Sequence, residues 1–261
     1  MQTQKAFARH AAYEKEIIER SKHAIIENQW SLAYLKKIYP AVIEHIQYLP
    51  IAEVFSQYRW NVKSYKPHTI MCPAADYPIK GLHMLLKAIN IVKQRYPDVQ
   101  LIIPGHKLNT GTTLRTRIRQ NGYDRLISDM IVQLNLQSNV YYTGRLTAVE
   151  MAEHMAVVNC FAVCSAIENH SGTLKEAMMV GAPCVASYVG GIPEYAENDK
   201  NALLYRYEDY EMLAKHIMRL FEDKAFCKRL SDEAIRSMSG FKQDESGFWG
   251  LRKIIADGNK L

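Results

Sequence analysis

No stretch of this sequence approaches the ~18 consecutive apolar residues of a membrane span, and Met1 to Ala12 holds no apolar core of signal-peptide length. The reading is of a chain that stays in the cytoplasm unless a partner holds it at the inner face of a membrane. The cysteines, Cys72, Cys160, Cys164, Cys184 and Cys227, include no C-x-x-C pair, which argues against a zinc ribbon or a dithiol redox centre. Four of them fall in apolar, strand-like or helical runs, where buried reduced thiols are expected. No G-x-G-x-x-G follows the first regular strand, so the dinucleotide-dependent dehydrogenase reading is a poor one. There is no internal repeat and no low-complexity linker. Charge of one sign is not concentrated either: 33 basic and 27 acidic residues leave a net +6, without the dense basic runs of a nucleic-acid binder. Anions remain natural partners, as phosphorylated ligands or an anionic membrane surface. The densest basic stretch runs from Lys107 to Arg125 through Arg115, Arg117 and Arg119 and reads as a solvated helix face.

At 261 residues, 48% hydrophobic and 23% charged, the chain can bury a sizeable core and is far from the composition of disorder. Its periodicity changes near residue 66. Before that point the pattern predicts a helix over 7–20, a short strand over 23–27, a helix over 31–38 and an extended piece over 46–49, about two βα units. From His68 onward strands and helices alternate, the mark of a parallel sheet with crossover helices. Strands are predicted at 69–72, 99–103, 140–143, 159–164, 184–187 and 202–205. The predicted fold is a doubly wound α/β sheet of six parallel strands, preceded by a partial α/β segment. Leu82, Leu85, Leu86, Ile89 and Val92 form one helical stripe stopped near Pro97. Thr147 and Glu150 have capping-box spacing. Further helices are predicted over 209–222 and 225–238, and the apolar tail 241–255 reads as a helix that packs back.

In such a sheet ligands bind beyond the carboxyl ends of the strands, where helix amino termini present N–H groups and partial positive charge. Three loops stand out there. The loop after the fourth strand carries Glu168-Asn169-His170-Ser171-Gly172-Thr173-Leu174-Lys175-Glu176. Residues 171–173 open a helix that Gly181 and Pro183 close, so Gly172, Thr173 and Leu174 can turn their amides toward an anion such as a diphosphate. Glu176, a turn further in, suits hydrogen bonds from ribose hydroxyls; carboxylates near helix starts are also common as plain dipole partners. After the fifth strand, Gly190-Gly191 permits a close backbone approach to a ligand, or merely forms a tight turn. After the first strand, Lys80-Gly81 puts a cation just ahead of a helix, as phosphate would require or as a solvated lysine would do.

Taken together, residues 66–240 resemble the carboxyl-terminal donor-binding domain of glycosyltransferase family 4, of GT-B fold. The specific element is E-x7-E, here Glu168 to Glu176, within a string that runs on through Gly181, Gly191 and Glu194. The resemblance implies a retaining transferase that moves a sugar from a nucleoside diphosphate to a glycan or lipid-linked acceptor, with no cofactor and no bound metal. It implies that Glu168 faces the donor sugar, Glu176 the ribose and residues 172–174 the diphosphate. Lys80 would neutralise the leaving phosphate and Gly144-Arg145 would line the base; Asn169, His170 and Ser171 complete the donor loop.

Two departures accompany it. Ala75 stands where the family usually has an arginine, and Asn169-His170-Ser171 replaces a commoner Gly-Phe-Gly. The implied domains are 1–65, a remnant of the acceptor domain; 66–240, the donor domain; and 241–261, the closing helix. An alternative is a nucleotide-sugar-binding subunit or fragment, inactive until another polypeptide supplies the acceptor domain.

Overall fold

The computed structural model describes residues 2–21, 23–48, 51–73, 77–105, 122–239, 252 and 256. The expected tail helix apart from residue 252, Ala75 and the part of the basic stretch up to residue 121 lie outside them. The described residues fall into two compact units, one of residues 2–48 together with 252 and 256, the other of residues 51–239.

The first unit holds α1 (Gln2–Arg20), β1 (His23–Ile26), α2 (Gln29–Ile38) and β2 (Ile43–Ile46). Asn28 caps α2, its Oδ1 accepting from Ser31 N at 2.7 Å. β1 and β2 pair in parallel, His23 opposite Ile43. A two-stranded sheet buries little, and Ile17, Ile25, Tyr34, Ile43 and Ile46 stay exposed on this unit. A cavity of about 580 Å³ lies among residues that include Ile18, Ile38, Val42 and Ile43.

The second unit opens with α3 (Val54–Gln57), followed by β3 (Lys66–Met71), α4 (Leu82–Arg95), β4 (Gln100–Pro104), α5 (Gly122–Gln133), β5 (Val140–Gly144), α6 (Ala148–Val157) and β6 (Val158–Val163). Then come α7 (Gly172–Val180), β7 (Cys184–Ser187), β8 (Leu203–Tyr205), α8 (Tyr210–Glu222) and α9 (Lys224–Met238). Six parallel strands form one sheet in the order β5-β4-β3-β6-β7-β8. All six are the strands expected from periodicity, none of their ends displaced by more than three residues.

Every residue of β6, β7 and β8 is buried, as a parallel sheet covered on both faces requires. Alternate side chains build two separate cores. Ile70, Leu101, Cys160 and Val185 face α4, α5 and α8; Met71, Phe161, Cys184 and Ala186 face α6 and α7. The predicted stripe of α4 is wholly buried, and the Thr147–Glu150 capping box is formed. Residues 51–65 pack on this unit: Phe55 is buried, and the Trp60 indole donates to Val158 O at 2.7 Å. The five cysteines are buried thiols outside any disulfide.

Strand order reverses between β3 and β6, the first and fourth of the six. That is the point where an open α/β sheet leaves a crevice at the carboxyl ends of its strands.

Candidate active site

The loops that leave β3 and β6 meet at this reversal. Ala166 N donates to Ile79 O at 2.7 Å, tying them together. The chain after β3 makes a 3-10 turn over Pro78–Lys80, then bends at Gly81 with φ +72°. A Cβ at Gly81 would lie 1.8 Å from the Cys164 carbonyl oxygen, so only glycine brings the backbone this close. The result is that Lys80 Nζ donates to Glu168 Oε1 at 2.6 Å, with Glu168 only 11% exposed at its side chain and Lys80 30%. Ser165 Oγ donates to the same carboxylate oxygen at 2.6 Å, and Ser187 Oγ at the end of β7 holds Ser165 O at 2.5 Å.

The paired glycines serve the same loop. Gly190 has φ +53°, a Cβ there would lie 1.7 Å from Glu168 O, and Gly191 N donates to Asn169 O at 3.0 Å. The close approach is to the backbone of the Glu168 loop.

Helix α7 begins where this loop ends. Ser171 is its N-cap and makes no side-chain cap bond, and the first turn carries no acidic residue. The helix therefore presents its first N–H groups and dipole without a negative side chain of its own. Gly172 is exposed, with no protein atom within 4 Å of a Cβ built on it; Thr173 is half-buried and Leu174 belongs to the core. The half-buried Glu176 has its carboxyl pKa raised by burial, against the charge of Lys175. Such a carboxylate gains from a hydroxyl donor beside it.

Asn169 is exposed, and His170 is 3% exposed with its Nδ1 3.0 Å from Lys175 Nζ and its ring edge-on to Tyr195. Gly144 and Arg145 stand apart: they close β5 at the sheet edge, with β4 and β3 between them and β6, and Arg145 is exposed. Ser165, Lys175 and Tyr195 were not expected from the sequence. The one available signal was Lys175, a lysine inside an otherwise apolar helix, since buried ammonium groups are rare without a purpose. Among the described residues no group of three or more His, Cys, Asp or Glu is placed to hold a metal ion, and no helix is long and apolar enough to cross a membrane.

His170 also gives a pH dependence. Burial, then the Lys175 charge, push its pKa down to about 4. The unfolded chain takes up this proton near pH 6.5 and the folded chain does not, so stability falls as pH drops from about 6.5 to about 4. His83 and His216, lowered mainly by burial, add with the same sign; Glu176, raised, opposes them just above pH 4.5. For His170 the loss is about 2–3 kcal/mol. Urea denaturation across this range should show a shallower slope in His170→Phe; equal slopes would refute the assignment.

The doubly wound parallel sheet, with an ion pair and a helix amino terminus at its reversal point, is an α/β domain of GT-B type. The family described as "Glycosyl transferases group 1" matches residues 55–237, and the chain belongs to it. Among curated relatives, the MMP alpha-(1->4)-mannosyltransferase of Mycolicibacterium hassiacum is 28% identical over 169 residues, 64% of this chain and 37% of that protein. Two solved structures share the fold. Sucrose-phosphate synthase from Thermosynechococcus elongatus has TM-score 0.75 and 20% identity, over 94% of this chain and 60% of that one. The Anabaena protein HepE, in complex with UDP and glucose, has TM-score 0.73 and 20% identity, over 92% of this chain and 63% of that one. The chain thus spans well under two thirds of the length of the curated relative.

Proposed function

We propose that this chain is the donor half of a retaining glycosyltransferase of family 4 type, transferring a sugar from a nucleoside diphosphate to a glycan or lipid-linked acceptor. The observation that carries the reading is the Lys80–Glu168 pair, 2.6 Å long, beside the uncapped start of α7. Glu168 orients the sugar and stabilises positive charge at the anomeric carbon. Lys80 is shared between Glu168 and the departing phosphate, and the amides of residues 172–174 take the rest of the diphosphate. Glu176 accepts from the ribose, and Gly144-Arg145 lines the base. Strands spaced roughly 4.8 Å apart put the end of β5 about 14 Å from that of β6, a span that suits a ligand with a base at one end and a sugar at the other. The relatives' names support a sugar nucleotide: one is a mannosyltransferase, and one solved structure holds UDP and glucose. No metal or cofactor enters this reading; the lysine and the helix dipole carry the electrostatic load.

Residues 66–240 we read as the donor domain and residues 1–65 as the end of an acceptor domain, of which 51–65 pack on the donor side. The second reading, a sugar-nucleotide-binding subunit that acts once another polypeptide supplies acceptor contacts, is favoured by the two-stranded sheet of the first unit and its exposed apolar side chains.

The test is calorimetric titration with UDP, GDP, ADP and NAD. One nucleoside diphosphate should bind saturably and bind more weakly to Glu176→Ala. Failure of all four on folded protein would sink the donor-site reading.

A further inference from the structure

The two carboxylate oxygens of Glu168 stand in different surroundings. Oε1 accepts from Lys80 Nζ and from Ser165 Oγ, each at 2.6 Å. Oε2 has no hydrogen-bond partner among the described residues, nor is it one of their buried unpaired atoms, so it is open to a ligand. The backbone beneath is fixed as well, since Gly191 N donates to Glu168 O at 3.3 Å. Ser165 is 2% exposed and Ser187 fully buried, and the Ser187 hydroxyl at the end of β7 donates to the Ser165 carbonyl at 2.5 Å. A chain of bonds thus runs from β7 through Ser165 to one oxygen of Glu168, and Lys80 meets that oxygen from the loop after β3.

A serine three residues ahead of a glutamate also suits a loop that needs only to hold its own shape. Either carboxylate oxygen would serve for that. Here donors from two different loops converge on one oxygen, although a carboxylate offers about four acceptor sites over its two oxygens, and the other oxygen is left clear. Restricting a glutamate side chain to one rotamer costs conformational entropy. With the rotamer set in advance, a ligand meets Oε2 already in place. A carboxylate oxygen only accepts, so the ligand must bring a hydroxyl or an N–H.

We propose that Ser165 is a positioning residue of the donor site: with Lys80 it fixes Glu168 through Oε1, and so aims Oε2 at a hydroxyl of the donor sugar. This rests on the donor-site reading above.

The test sets each sugar nucleotide against its own nucleoside diphosphate. UDP, GDP and ADP, and UDP-glucose, GDP-mannose and ADP-glucose, are titrated calorimetrically into wild type and variants of the full chain. Ser165→Ala should weaken the sugar nucleotide that wild type binds about fivefold, and its nucleoside diphosphate less than about twofold. In Glu168→Gln, Lys80 and Ser165 both donate and so retain the amide oxygen, which turns an NH2 toward the sugar. The sugar nucleotide should then weaken about 10- to 100-fold. The double variant Ser165→Ala/Glu168→Gln should bind it no more weakly than Glu168→Gln alone, because the serine acts through the carboxylate. Additive losses in the double variant, an equal loss for the nucleoside diphosphate, or wild-type sugar-nucleotide affinity in Ser165→Ala each refute the positioning role and leave the donor site standing. Ser165→Cys, whose S–H is a weak donor, carries the same comparison if the alanine variant does not fold. Wild type that binds a nucleoside diphosphate but no sugar nucleotide also refutes the role. Wild type that binds none of the six removes the donor site and this role together.

Discussion

Replacing Lys80 with alanine is expected to weaken nucleoside diphosphate binding about 10- to 100-fold, the range for one hydrogen bond to a charged group. Where transfer is assayed, the rate should fall on the order of 100-fold, as for other preorganised contacts to a developing anion. Lys80 has two candidate jobs. It neutralises Glu168, from which it is 2.6 Å away, and it meets the phosphate. The double variant Lys80→Ala/Glu168→Gln separates them. If the lysine only compensates the carboxylate, removing both charges restores binding. If it meets the phosphate, the double variant binds as weakly as Lys80→Ala. Restoration in the double variant would overturn the assigned role.

Alanine at Gly190 should destabilise the chain by about 3 kcal/mol or more, the size reserved for strain with no room to relax. The backbone is left-handed there, φ +53°, and the new methyl would lie 1.7 Å from Glu168 O. Left-handed φ alone costs an L-residue about 1–2 kcal/mol, and the collision is with backbone, which side-chain rotation cannot relieve. Gly144→Ala is the control: φ is +81°, with no atom within 4 Å of the added methyl, so only the conformational cost applies. Urea denaturation of the two variants should differ by more than 1 kcal/mol, a difference the left-handed strain alone cannot produce. Equal losses would mean that the loop after β7 moves away at little cost. Gly190→Ala should also weaken nucleoside diphosphate binding, because the yielding atom belongs to Glu168.

Much of this was legible from local pattern. Strands of continuous apolar residues and helices with one apolar stripe follow from which side chains avoid water, and neither needs distant information. The six strands, the α4 stripe and the Thr147–Glu150 box are of this kind. The loops worth searching were also legible, since helix starts after strands mark themselves by small and polar residues. Gly190-Gly191 was readable only as a need for close approach; what it approaches, the backbone of residue 168, was not in the pattern. Ser165 was unremarkable as a loop serine, and Tyr195 as one residue in a turn.

The sequence by itself therefore determined the alternation of elements, the apolar faces and the candidate residues, because hydrophobic period and helix capping act within a few positions. Only the tertiary structure decided that β3 and β6 are neighbours, and with it that the Lys80 ammonium donates across 2.6 Å to the carboxylate of Glu168, far away in the chain. Parallel strands are ordered by how their crossover helices pack on the two faces of the sheet, and charges distant in sequence are paired by that packing.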